Sequence, residues 1–79
     1  MTKNEMFTIV ASVLNVPVEE LSLDSGPDTI QQWDSLAHIT MFSALEGSLG
    51  FKFSMSEMLS VKTLSDLIET IEKHNVSVD

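Results

Sequence analysis

Apolar residues recur along this chain at helical spacing, interrupted by one long polar-rich stretch. From Lys3 to Leu14, at about 100° per residue, Met6, Phe7, Ile9, Val10, Val13 and Leu14 fall on one broad face. Asn4, Glu5, Thr8 and Ser12 fall opposite. Thr2 and Glu5 have the Thr-x-x-Glu spacing of a capping box, which marks the helix start. Asn15-Val16-Pro17 ends the helix, because proline disfavours helical backbone at the residue before it. Pro17 to Leu21 is expected to form one helical turn. Ser22 to Asp28, containing Ser25-Gly26-Pro27-Asp28, is turn-forming. The connection then continues to Trp33. So long a loop in so short a chain is unusual unless it carries function or packs by its own side chains. Val16, Val18, Leu21, Leu23, Ile30 and Trp33 are available to pin it over the core.

The second helix is predicted to start at Ser35, with Asp34 as its N-cap, and to run to Leu49. Ile39, Met41, Phe42, Leu45 and Leu49 share one arc and are the expected core contacts. Ala37, Thr40, Ser43, Ala44 and Gly47 lie on the other side. Leu36 projects toward that polar side. It either makes a partner contact or packs under the preceding loop. Gly47 costs about 1 kcal/mol relative to alanine inside a helix, so a loose last turn is expected; Gly50 is a natural terminator. Ser54 and Glu57 form a second capping box, opening a short helix to about Leu59. Thr63-Leu64-Ser65-Asp66 starts a final helix, from about Leu64 to Lys73, burying Leu64, Leu67, Ile68 and Ile71. His74 and Lys73 suit its C-terminus by charge, and Asn75 to Asp79 is expected to fray. The prediction is an all-α bundle of three main helices and one short one, without repeats or an internal boundary.

Composition narrows the function. The 79 residues contain no cysteine, which removes disulfides and cysteine-based zinc sites. No apolar run has the length of a membrane span, and Met-Thr-Lys-Asn-Glu has no secretory signal character; a cytoplasmic monomer is expected. Twelve Asp and Glu against four Lys give a net charge of -8. Nucleic acid and anionic membrane surfaces would be repelled, while basic patches on partner proteins would be attracted. The same charge also serves plain solubility.

Enzyme constellations are scarce. Ser35 lacks the glycines of a nucleophile elbow. His38 falls on the helical wheel among Ile39, Leu45 and Leu49, where a hydrogen-bonded, partly buried histidine is expected rather than a catalyst. His38 and His74 are isolated, and Asp24 to Asp28 lacks the ordered oxygen ligands of a calcium loop. There is no phosphate-cradling glycine loop. What stands out is Trp33-Asp34-Ser35-Leu36. It puts a hydroxyl at a positively polarised helix start, where a phosphate-bearing group is well tolerated. Ser35 therefore reads as a substrate of modification rather than a nucleophile acting on bound substrate.

Asp34-Ser35-Leu36 at a helix start resembles the attachment motif of the acyl carrier protein family. The likeness extends over nearly the whole chain. It takes in the first amphipathic helix, the long loop, the spacing from Ser35 to Leu49-Gly50-Phe51, the short helix and the closing helix. The resemblance implies a single acyl-carrier-like domain over residues 1–79. It implies that Ser35 bears a 4′-phosphopantetheine arm delivered from coenzyme A, whose thiol holds an acyl group as a thioester, and that the chain catalyses nothing. Asp34 maps onto the aspartate that positions the transferase and its metal ion, and Leu36 onto a docking leucine. The implied partners are a phosphopantetheinyl transferase and acyl-loading, acyl-transfer or condensing enzymes. In the family, acyl chains tuck between the helices. Met41, Phe42, Leu45, Phe53, Met55, Met58 and Leu59 either line such a space, methionine adapting to its contents, or form an ordinary core. The family's fatty-acid-synthesis members have glycine and a small or polar residue before Asp-Ser-Leu and many acids on the second helix. Here Gln32-Trp33 precede the motif, and Glu46 is the main charge of that helix. The Trp-Asp-Ser-Leu form looks more like stand-alone carriers of specialised pathways. An aminoacyl or peptidyl carrier, or an acidic interaction module without prosthetic group, are the alternatives.

Overall fold

A computed structural model describes all 79 residues. Four helices form in the predicted order: α1 (Lys3–Leu14), α2 (Ser35–Leu49), α3 (Met55–Ser60) and α4 (Leu64–Glu72), with a 3₁₀ turn at Val18–Glu20. Each start has a local chemical cause. Thr2 and Glu5 close their capping box at 3.0 and 2.9 Å. Ser54 and Glu57 close theirs at 3.1 and 2.8 Å. At α4 the Thr63 hydroxyl accepts the Asp66 amide, but Asp66 does not complete a box: its carboxylate takes the Lys62 amide at 3.0 Å instead. The ends are as local. Asn15 leaves α1 in the left-handed region at φ 58°, so the stop falls there, ahead of the proline. Gly50 ends α2 at φ 81°, and α2 stays helical through Gly47 to Leu49.

The core joins Met6, Val10 and Leu14 of α1 to Met41, Phe42 and Leu45 of α2 and to Leu64, Leu67 and Ile71 of α4, all buried. An aromatic series crosses it. His38 lies edge-on to Phe42 with ring centroids 5.1 Å apart, Phe42 packs against Phe53 at 4.8 Å, and Phe51 stacks on His74 at 4.0 Å. His74 also pairs with Glu57 at 2.7 Å, tying the chain beyond α4 to α3 rather than merely neutralising a helix end. No helix is long and apolar enough to cross a membrane.

Three expectations need correction. Ile39, placed in the core arc, is 42 % exposed. Apolar residues occur on nearly every side of α2, so a helical wheel alone does not select the buried face. Leu23, offered as a loop anchor, is exposed; its backbone carbonyl makes the attachment instead, accepting the Ser65 amide at 2.9 Å. Asn75 to Asp79 does not fray in the structure. Val78 is buried, Lys3 donates to the Asp79 carbonyl at 2.9 Å, and the Asp79 amide donates to Met1 at 3.2 Å, so the two ends of the chain hold each other.

The long loop is fixed by a close backbone approach. Leu64 donates to the Ser25 carbonyl at 2.9 Å, and Gly26 lies so near the Lys62 backbone that a Cβ would overlap the Lys62 carbonyl oxygen. Gly26→Ala is therefore expected to destabilise the fold by about 1–3 kcal/mol in urea unfolding, as an overpacked site does. Gly47 faces open space, so Gly47→Ala should stabilise by up to about 1 kcal/mol.

Glu57 titrates below the ordinary 4.5, chiefly because it accepts the Ser54 amide; partial burial opposes this and the His74 contact assists. A carboxylate depressed on folding contributes stability that is fully present above its unfolded value and is lost as pH falls through its folded one. Glu57→Gln should thus be less stable than the parent near neutrality. Urea unfolding should show the difference closing as the pH is lowered from about 7 to about 3.

Candidate functional site

Trp33-Asp34-Ser35 stands where the loop enters α2. Asp34 is extended, and its Oδ1 accepts the Ala37 amide at 2.8 Å, satisfying one free donor of the first turn. Thr40 Oγ1 donates back to the Leu36 carbonyl at 2.8 Å. The Ser35 side chain is exposed beside these bonds and uncommitted to them. Leu36 is 76 % exposed, which excludes packing under the preceding loop.

Behind Ser35 lies a hydrogen-bond chain that sequence reading only half found. Trp33 is 2 % exposed, and its indole N–H donates to His38 Nδ1 at 2.9 Å. That fixes the imidazole tautomer. Nδ1 accepts, so the proton resides on Nε2, which donates to the Met58 carbonyl at 2.7 Å. One imidazole thus joins the loop, α2 and the C-terminal half of α3. The expected partly buried, hydrogen-bonded histidine is present; its link to Trp33 and to α3 was not anticipated. The five-residue separation of Trp33 and His38 across a helix start carried only a weak hint of it.

An open groove of about 470 Å³ runs from this point, lined by Pro27, Trp33, Ser35, His38, Ile39, Leu59, Val61 and the charged Asp34 and Lys62. Its surface is mainly apolar, with Ser35 on its border. The exposed Met55 and Leu59 extend the apolar surface along α3. These two were candidate lining for an interior space and are instead on the outside, whereas Met41, Phe42, Leu45 and Phe53 are core. Asp34 is the one acid in the groove lining. Glu46, the one charged residue of α2, accepts the Phe53 amide at 2.8 Å, and Glu57 is held by Ser54 and His74.

The arrangement suits a tethered anionic group. An exposed primary hydroxyl stands at a helix start whose amides polarise it positively, next to a groove able to take a flexible, weakly polar arm. The family model described as "Phosphopantetheine attachment site" matches residues 4–71. The chain belongs to the phosphopantetheine attachment-site family. It is also similar to the acyl carrier protein of Coprothermobacter proteolyticus, with 27 % identity over 70 residues spanning 89 % of this chain and 85 % of that one. As a phosphopantetheine carrier, the protein has 4′-phosphopantetheine as its prosthetic group, and the exposed hydroxyl, helix start and groove fit that group.

Trp33→Phe keeps an aromatic ring but leaves His38 Nδ1 without its donor. It should destabilise by about 1–3 kcal/mol, the cost of an unmet polar group in a largely desolvated place. A double-mutant cycle with His38→Ala should return a coupling of about 0.5–3 kcal/mol by chemical denaturation, as expected of residues in direct contact.

Proposed function

We propose that the protein carries acyl groups as thioesters on a 4′-phosphopantetheine arm attached at Ser35, delivering them between enzymes of a biosynthetic pathway without catalysing a reaction itself. The observation that carries this reading is the exposed Ser35 hydroxyl at the start of α2, on the border of an apolar groove. In the loading step, made by a phosphopantetheinyl transferase, Ser35 Oγ loses its proton and bonds to the arm's phosphorus. The pyrophosphate bond of coenzyme A breaks and the adenosine bisphosphate leaves. The arm's terminal thiol then supplies the thioester chemistry.

The chain's own residues divide the remaining work. Asp34 Oδ1 is used in capping, which leaves the second carboxylate oxygen for the transferase and its metal ion. Leu36 offers an apolar contact to docking enzymes, beside Ile39 one turn further along α2. The relative's printed name supports an acyl cargo. The surface of α2 and α3, whose charges are few, favours acyl-handling partners that dock mainly through apolar contacts. The acids of the loop and α4 would act at longer range, steering encounter.

Incubation with coenzyme A and a broad-specificity transferase should add one pantetheine increment to the intact mass, and Ser35→Ala should abolish it. Asp34→Asn separates the two roles of that residue. Asparagine caps about as well as aspartate, so thermal stability should change by no more than a few tenths of a kcal/mol, while the rate of modification falls severely. Unchanged modification in Asp34→Asn would leave Asp34 a cap alone.

A further inference from the structure

We propose that His38 is a positioning residue for the loading of Ser35, acting through its bond to Trp33 and not through its bond to α3. The assignment rests on Ser35 being the attachment point.

Asp34, Ser35 and Leu36 are all exposed, so none of the three is held by its own burial. Their place comes from the residues on either side. Trp33, before them, is buried, and its main-chain amide donates to the Ile30 carbonyl at 3.0 Å. His38, after them, is half-buried and lies edge-on to Phe42 of the core at 5.1 Å. Two bonds of His38 join these sides. Its main-chain amide donates to the Asp34 carbonyl at 2.9 Å, and its Nδ1 accepts from the Trp33 indole, also at 2.9 Å. Ser35 thus lies within a ring of chain that one residue closes twice.

The two closures differ in what they demand. The main-chain bond is the ordinary one of a first helical turn, and any residue except proline supplies it. The side-chain bond needs an acceptor at the Nδ1 position, because an indole nitrogen only donates. Without it Trp33 loses its fixed register against α2, and the exposed segment bearing Ser35 shifts with it. A misplacement of about 1 Å costs a group-transfer reaction on the order of 100-fold. The Nε2 bond to the Met58 carbonyl, at 2.7 Å, lies outside this ring and fastens α3.

Two substitutions divide the imidazole. Asparagine sets an amide oxygen where Nδ1 stands and is too short to reach Met58. Glutamine sets an amide N–H where Nε2 stands and leaves Trp33 without its acceptor. Glutamine is the better helix former, so a merely structural role for His38 makes it the milder change. A positioning role through Trp33 makes it the harsher one.

The experiment measures pantetheine transfer from coenzyme A by a broad-specificity transferase, read as intact mass over a range of carrier concentrations. The temperature is one at which circular dichroism shows each variant folded. The kcat should fall about tenfold in His38→Gln and no more than about twofold in His38→Asn, with KM for the carrier within about twofold of the parent in both, since the exposed Leu36 is untouched. Trp33→Phe removes the donor from the other side and should match His38→Gln. The double variant should be no slower than either single one, because both remove the same bond. Equal losses in the two His38 variants, a larger loss in His38→Asn, an effect confined to KM, or additive losses in the double variant would each overturn the assignment. The parent protein separates the two readings. A pantetheine increment on the parent, with His38→Gln loaded as fast as His38→Asn, overturns the positioning role alone. No increment on the parent, from a transferase active on a control carrier, overturns attachment at Ser35 and the positioning role with it.

Discussion

One imidazole holds the functional end of this molecule together. His38 accepts from the Trp33 indole and donates to the Met58 carbonyl, so the long loop, α2 and α3 share a single side chain. Trp33 is only two residues before Ser35, and the bond fixes where the loop turns into α2. Fixing α3 against α2 then sets the width of the groove beside the serine. The Asp34 cap gives the helix its first turn, and the His38 chain gives that turn its tertiary address. Every buried polar side-chain atom in the fold has a hydrogen-bond partner, so this polar chain does not leave an orphan in the core.

The legible parts of the structure were those with a local cause. The Thr2–Glu5 and Ser54–Glu57 boxes, the Asp34 cap and the Gly50 stop each act within four residues of backbone, and each appears where the sequence places it. The same locality marks the candidate site, because Asp34-Ser35-Leu36 is contiguous and needs only a helix start to define its geometry. What escaped is set by partners distant in the chain. Gly26 looked like a turn residue, yet its lack of a Cβ matters because Lys62 passes against it. His74 looked like a helix-end charge, yet it stacks on Phe51 and pairs with Glu57. The pairing of Met1 and Lys3 with Asp79 joins residues that no sequence window contains.

The apolar character of α2 on several sides explains why its wheel was ambiguous. It misled the assignment of Ile39 to the core, since hydrophobicity alone does not distinguish a core face from a working face. The exposed Leu36, Ile39, Met55 and Leu59 then form an apolar surface on a chain of net charge -8. Such a grouping on a small protein marks a place where something else binds. Ser35 lies in the lining of the groove beside it.

The central claim concerns which hydroxyl bears the arm, and eleven serines are present in the chain. Peptide-level fragmentation of the transferase-treated protein distinguishes them. Loss of a pantetheine fragment is expected from the peptide containing Trp33-Asp34-Ser35-Leu36, with the phosphate remnant localised to Ser35. Localisation of that remnant to any other serine, or an unmodified Ser35 peptide after treatment with a transferase active on a control carrier, would contradict it.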